Sequence, residues 1–272
     1  MRKSFATLPA PVYAGVVRET TTRGAIMQIK NCYYDGAGMI DLHLSCLENS
    51  SEEELEKIVN STPLPILALN YNNTYLWESK GLTEEQRVES FLRAIRAGAA
   101  GVDIQGYTFD QPSKTGFYGE DKYSFTKGQP KEVITDEKII ARQCRLIDDV
   151  HSMGAEVLLS CHPGIYMNAE QVVELALFLE KRNPDVIKIV TKAANDEQLI
   201  ESFRAMVLLK KELKTPVAYH AAGVGGRLSR LVNPVLGGHM AFCVDRFSES
   251  STAEQVHLGS GKQAMETMCK YR

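Results

Sequence analysis

An alternation repeated eight times constrains this chain more than any other feature. Short runs rich in aliphatic, β-branched and aromatic residues lie at 12–17, 39–47, 65–71, 101–107, 156–163, 185–192, 216–223 and 239–245. Between them come segments with helical spacing and recognisable starts. Residues 50–59 open on serines followed by glutamates, the arrangement that caps a helix and complements its dipole. Residues 82–99, 168–182 and 195–213 follow the same pattern. Strands that alternate with helices predict parallel pairing through helical crossovers, and eight such units predict one (β/α)8 TIM barrel over residues 1–272. An open doubly wound sheet usually carries a glycine-rich phosphate loop after its first strand. The segment at that place, RETTTRGAIMQ (18–28), has no such loop.

Length agrees with one barrel, since 272 residues compare with roughly 250 for the fold. The surplus falls in residues 106–135, a polar stretch rich in glycine and aromatics that is too long for an ordinary strand-to-helix loop. It is expected to be an insertion after strand 4, on the face where barrel active sites are built. Two roles are open for it: a lid whose aromatics (Tyr107, Phe109, Phe117, Tyr118, Tyr123, Phe125) close a pocket, or a solvated loop that touches a second subunit.

Charge excludes whole classes of partner. A net charge of −3 gives no electrostatic footprint for nucleic acid or an anionic membrane. No stretch approaches the roughly 18 apolar residues of a spanning helix, and the first residues lack a secretory apolar region. The six cysteines are scattered without CxxC or zinc-ribbon spacing. They read as reduced thiols, and a cytoplasmic protein is expected.

Chemistry concentrates at the ends of the later strands. Lys188 sits in the apolar run DVIKIVTK and shares a strand face with Lys192, so both are expected to point into the barrel, Lys192 nearer the mouth. Burial and a neighbouring cation make such a lysine a Schiff-base nucleophile. An interior lysine held in an ion pair, with Asp41 or Asp103, is the alternative. His162, at the end of the preceding strand, is either a general acid/base or a structural hydrogen bonder. After strand 7, HAAGVGGRLSRL offers backbone amides and Arg230 for an anion, unless Arg230 is only a helix-surface residue. Ser251 and Gln255 after strand 8 are neutral donors or plain loop caps.

Taken in order, these motifs resemble the type I 3-dehydroquinate dehydratase family of class I aldolase-like barrels. The matching elements are Ser160-x-His162, the strand V-I-K-I around Lys188, the run Gly223, Gly226, Ser229 and Arg230, and the loop with Ser251 and Gln255. The resemblance implies a lyase that dehydrates a cyclic keto acid without metal or cofactor, and a homodimer. It assigns the Schiff base to Lys188 and general acid/base work to His162. Arg230 and Gln255 would take the substrate carboxylate, and Ser251 would lie on the closing loop.

The first half departs from the family pattern. Where the family has an acid-x-arginine pair on strand 2, this chain has Asp41-Leu42-His43, and where strand 3 should end in arginine it has Tyr71. The glutamate that orients the catalytic histidine has Glu78 as a shifted counterpart and Tyr75 as an in-register one, and Gln105 stands where strand 4 should carry an acid. Asp41, His43 and Tyr71 are therefore expected to contact substrate in an altered way. That pattern fits the standard reaction, a relative acting on a different keto acid, or a non-catalytic sensor of such a ligand. A metal-dependent hydrolase built on His43, His162 and His220 is the reading from another class.

Overall fold

The computed structural model describes residues 3–71, 82–109, 133–249 and 251–271. Each of the eight runs forms a strand: β1 (Val12–Val17), β2 (Met39–His43), β3 (Ile66–Leu69), β4 (Gly101–Gln105), β5 (Glu156–Cys161), β6 (Val186–Ala193), β7 (Val217–Gly223) and β8 (Met240–Val244). A two-residue strand, β9 (Val256–His257), follows them. The helices are α1 (Thr22–Tyr34), α2 (Glu52–Val59), α3 (Glu84–Arg96), α4 (Glu137–Ser152), α5 (Ala169–Glu180), α6 (Asp196–Glu212), α7 (Gly226–Leu236) and α8 (Leu258–Lys270). No helix among the described residues is long and apolar enough to cross a membrane.

Local chemistry explains the helix starts. Ser51 accepts from Glu54 N–H at the head of α2, while Thr83 and Asn168 form reciprocal capping boxes with Gln86 and Gln171. Gly225, at φ +68, makes the turn into α7, where a side chain would also run into Leu199.

All strand pairs are parallel, in the order β7-β6-β5-β4-β3-β2-β1-β8-β9, so the sheet curls until its two ends approach. Expectation and structure differ at that seam. Instead of eight strands laddered into a ring, the sheet has nine and ends at β7 and β9. His239 N–H donates to Val217 C=O at 2.7 Å where β7 and β8 come together. Nearer the mouth β9 lines β8, pairing Cys243 with Val256, and Gly223 N–H donates to Glu254 Oε1 at 2.7 Å. Of the insertion expected at 106–135, residues 110–132 lie outside the described residues; 106–109 form a turn and 133–136 lead into α4.

Alternation along the strands divides the enclosed interior into two layers. Val12, Ala14, Met39, Leu67, Leu158, Val186, Ala218, Met240 and Phe242 pack with Phe5 into an apolar floor at the strands' N-terminal side. Phe5 is completely buried, and Phe5 and Ala6 N–H both donate to the Glu156 carboxylate, fixing the chain start beneath the sheet. Gly101 has to be glycine: a Cβ there would enter the Glu156 carbonyl and the Phe5 ring. One or two steps further along the same strand faces the residues turn polar: Asp41, His43, Asp103, Gln105, Ser160, Lys188 and His220, all buried.

Candidate active site

Asp103 is the hub of the polar layer. Its Oδ1 accepts from Ser160 Oγ at 2.5 Å and Gln105 Nε2 at 3.2 Å, while its Oδ2 accepts from Tyr71 Oη at 3.2 Å and lies 3.7 Å from Lys188 Nζ. The register explains this convergence, since Asp103 pairs with Leu158 two residues before Ser160, and Ser160 pairs with Lys188. Of the two carboxylates proposed for an ion pair with Lys188, the structure selects Asp103. Burial raises the Asp103 pKa, against the pull of Lys188 and the Ser160 hydrogen bond.

Lys188 also donates to Tyr71 Oη at 2.9 Å, and its amine stands 4.5 Å from the centre of the Phe242 ring. Lys192, on the same strand face, is exposed at the mouth. The Tyr71 ring meets His162 edge-on at 5.5 Å and His43 at 6.2 Å between centres. Tyr71 thus touches the lysine, the carboxylate and both histidines. His162 is partly exposed at the rim. Glu78 and Tyr75, its candidate partners, lie outside the described residues.

Arg18, one residue beyond β1, belongs to this layer although no sequence motif marked it. Its Nε donates to His43 Nε2 at 3.3 Å and its Nη1 to Gln255 Oε1 at 3.2 Å. Gln255 Oε1 also accepts from Thr252 N–H at 3.0 Å. Gln255 is therefore held by Arg18, not by Arg230. Arg230 rises from α7 beside the same space, its buried Nε without a hydrogen-bond partner among the described residues. Burial, helped by the like charge of Arg18, pushes its pKa down to about 10, so it stays cationic near neutrality. Ser251 turns inward on its own loop, accepting from Ser248 N–H at 3.0 Å through its hydroxyl.

The remaining histidines are buried bases. Asp41 Oδ2 lies 3.5 Å from His43 Nε2, yet burial holds the His43 pKa at about 4. His220 is pushed well below its usual value by burial, then by Arg230, Lys188 and His162. Among the described residues no group of three or more His, Cys, Asp or Glu side chains is placed to hold a metal ion, so His43, His162 and His220 do not make the centre a metal hydrolase would need. A surface cleft of about 440 Å3 lined by Leu44, Asn70 and Arg93 contains none of the layer's titratable groups.

These depressed histidines predict an acid limit to stability. An imidazole held below its unfolded value of about 6.5 contributes stability that is complete above that pH and is lost as pH falls toward the folded value. For His43, with its folded pKa at about 4, the loss between pH 6.5 and 4 is on the order of 3 kcal/mol. His220 adds in the same direction. Thermal melts across this range are expected to decline less steeply for His43→Gln than for the parent protein; parallel slopes would refute the assignment.

The family model for type I 3-dehydroquinase matches residues 132–270. A 3-dehydroquinate dehydratase of Desulfotalea psychrophila is 23% identical over 226 residues, covering 82% of this chain and 84% of that protein. Those of Coxiella burnetii are 29% identical over 96 residues, a match to 34% of this chain that spans only 40% of their length. Among solved structures, a 3-dehydroquinate dehydratase from Geobacillus kaustophilus superposes with a TM-score of 0.77 at 13% identity, covering 100% of this chain and 97% of that one. A type I 3-dehydroquinate dehydratase from Clostridium difficile, solved with covalently modified comenic acid, gives 0.75 at 12% identity, covering 98% and 95%.

Proposed function

The chain belongs to the type I 3-dehydroquinase family, and from that premise we propose that it dehydrates 3-dehydroquinate to 3-dehydroshikimate through an imine on Lys188. The observation that carries this reading is the setting of Lys188. It is a buried amine two residues above an apolar floor, hydrogen-bonded to Tyr71, with His162 edge-on to the same ring. Relatives named for this dehydration are carbon–oxygen lyases, and the Clostridium difficile protein was solved with covalently modified comenic acid. The bond from His239 to Val217 supports reading the curled sheet as a closed (β/α)8 barrel with its mouth at this layer.

In this mechanism Lys188 Nζ adds to the ring ketone and water leaves, giving an iminium that accepts electrons from the neighbouring carbon. His162 removes the α-proton and returns a proton to the departing β-hydroxyl on the same face. Hydrolysis of the iminium frees the enone and restores the amine. Arg230 and Arg18 supply positive charge for the substrate carboxylate, with Gln255 between Arg18 and the loop that carries Ser251.

A second reading, a related cyclic 3-keto acid as substrate, has its own support. Asp41, His43 and Tyr71 stand where the family resemblance reserves arginines and an acid, and Tyr71 is already engaged with Lys188 and Asp103. Borohydride quenching in the presence of 3-dehydroquinate is expected to leave a mass adduct on the Lys188 peptide, alongside a rising ultraviolet enone signal. An adduct without enone favours a sensor. No adduct with 3-dehydroquinate, but one with another 3-keto cyclic acid, moves the substrate and keeps the chemistry.

A further inference from the structure

We propose that Tyr71 and Asp103 form the proton relay that converts Lys188 from an ammonium into a nucleophile without exchange with solvent. This rests on the reading of Lys188 as the imine-forming lysine. A lysine buried against a carboxylate is paired as an ammonium, and an ammonium cannot attack a ketone. Its proton has to go somewhere, and the layer provides one continuous path. Nζ donates to Tyr71 Oη at 2.9 Å, and Oη donates in turn to Asp103 Oδ2 at 3.2 Å. The other carboxylate oxygen is occupied by Ser160 and Gln105. Oδ2 is therefore the oxygen that receives. The ring contacts with His162 and His43 hold the phenol in line.

The phenol accepts from Lys188 and donates to Asp103, so its oxygen joins the two. Asp103 is a suitable receiver because it is fully buried and burial raises its proton affinity. Both sides of the transfer balance. As Nζ–H passes a proton to Oη, the phenolic proton passes to Oδ2, leaving a neutral amine and a neutral acid. The amine adds to the ketone carbon, and its remaining excess proton moves to the new alkoxide, giving a carbinolamine. Asp103 then returns its proton through Tyr71 to the leaving hydroxyl. Water departs, an iminium forms, and the carboxylate is restored beside the new cation. The layer begins and ends with one buried ion pair and never holds an unpaired charge, which a buried site penalises heavily.

Other charged and titratable groups facing the relay are Asp41 and His43 on β2, His162 at the end of β5 and His220 on β7, with Arg18 beyond β1, Arg230 on α7 and Arg87 on α3 behind Gln105. Burial keeps His43 and His220 neutral near pH 7, and Arg18 remains a cation, which leaves His162 as the group to control. The test uses glyoxylate with cyanoborohydride, a small carbonyl probe that reports amine reactivity whatever the natural substrate. Labelling is read by peptide mass at Lys188, with exposed Lys57 and Lys211 as internal controls. In Tyr71→Phe, which keeps the Asp103 carboxylate beside the ammonium, labelling of Lys188 is expected to slow by about 10²-fold, the scale of a lost proton-transfer group. The control lysines are expected to be unchanged.

In the parent protein the rate at Lys188 is expected to be flat between about pH 6 and 8. In Tyr71→Phe it should climb about tenfold per unit, as for any amine that must first lose its proton to solvent. The same contrast is expected in a His162→Gln background. Equal labelling in parent and Tyr71→Phe protein, or no preference for Lys188 in the parent, overturns the relay. So does a Tyr71→Phe protein that changes only KM for 3-dehydroquinate. Fast, flat labelling by glyoxylate without any adduct from 3-dehydroquinate keeps the relay and sinks the substrate assignment instead. Should Tyr71→Phe fail to fold, Tyr71→Met interrupts the path at the same oxygen and leaves the ion pair in place.

Discussion

Replacing Lys188 by methionine is expected to end turnover of 3-dehydroquinate, by at least about 10⁴-fold, and to remove the borohydride-trapped adduct altogether. Loss of a covalent nucleophile elsewhere costs on the order of 10⁶-fold, with a residue of catalysis left to binding and polar groups alone. Methionine has an unbranched chain nearly as long as the lysine stem, so it leaves only a small space where the amine faced Phe242. Its effect on stability depends on pH in a direction that can be worked out. Without Lys188, Asp103 loses the cation that chiefly lowers its pKa, while burial still raises it. A carboxyl whose folded value lies above its unfolded value of about 3.9 contributes stability that is full below that pH and is lost as pH rises through the folded value. The variant's melting temperature, relative to the parent, should therefore sag from about pH 4 upward. Turnover within tenfold of the parent would remove the Schiff base from consideration.

The largest loss of stability is expected from Arg87→Met. Arg87 is buried in α3 and makes five hydrogen bonds to four residues. It grips Glu84 at 2.6 and 2.9 Å, Asn70 C=O at 2.9 Å and Thr108 Oγ1 at 2.9 Å, and it donates to Gln105 Oε1. Glu84 in turn accepts from Phe109 N–H at 2.8 Å. This cluster ties the ends of β3 and β4 to α3, directly behind the Gln105 amide that holds Asp103. Removing one partner of a buried ion pair costs about 3–5 kcal/mol, because the other charge is left behind. For a chain of this size that is a fall in melting temperature on the order of 10 °C. The double variant Glu84→Gln with Arg87→Met should recover part of the loss, since no uncompensated charge remains. Equal losses in single and double variants would show that the packing of the guanidinium over Phe91 and Tyr107, rather than charge, is what matters.

Strand positions were legible because each carries its own signal. The run 12–17 became β1 without change, and 185–192 shifted by a single residue to β6. Residues 39–47 overran, since Leu44–Cys46 are apolar enough to read as strand but bend into a short 3-10 turn. β9 was not legible at all, because two residues carry no period. Arg18 was missed when the first strand was read only to Val17. Carrying the face of Val12, Ala14 and Val16 one step further reaches it. Glu84 and Arg87 looked like the charged opening of a surface helix, and only the tertiary packing of α3 against the ends of β3 and β4 buries them. Pairing of Lys188 with Asp103 and Tyr71 depends on the register of four strands, which no local pattern encodes.

Division of the interior into an apolar floor and a polar layer above it has a bearing on how such a chain diverges. Folding draws on Phe5, Val12, Met39, Leu67 and their neighbours, whereas chemistry draws on residues one or two steps along the same strands. Mutations in the two sets are thus selected on separate grounds. A backbone retained at a TM-score of 0.77 with 13% of its residues in common is the outcome such independence allows.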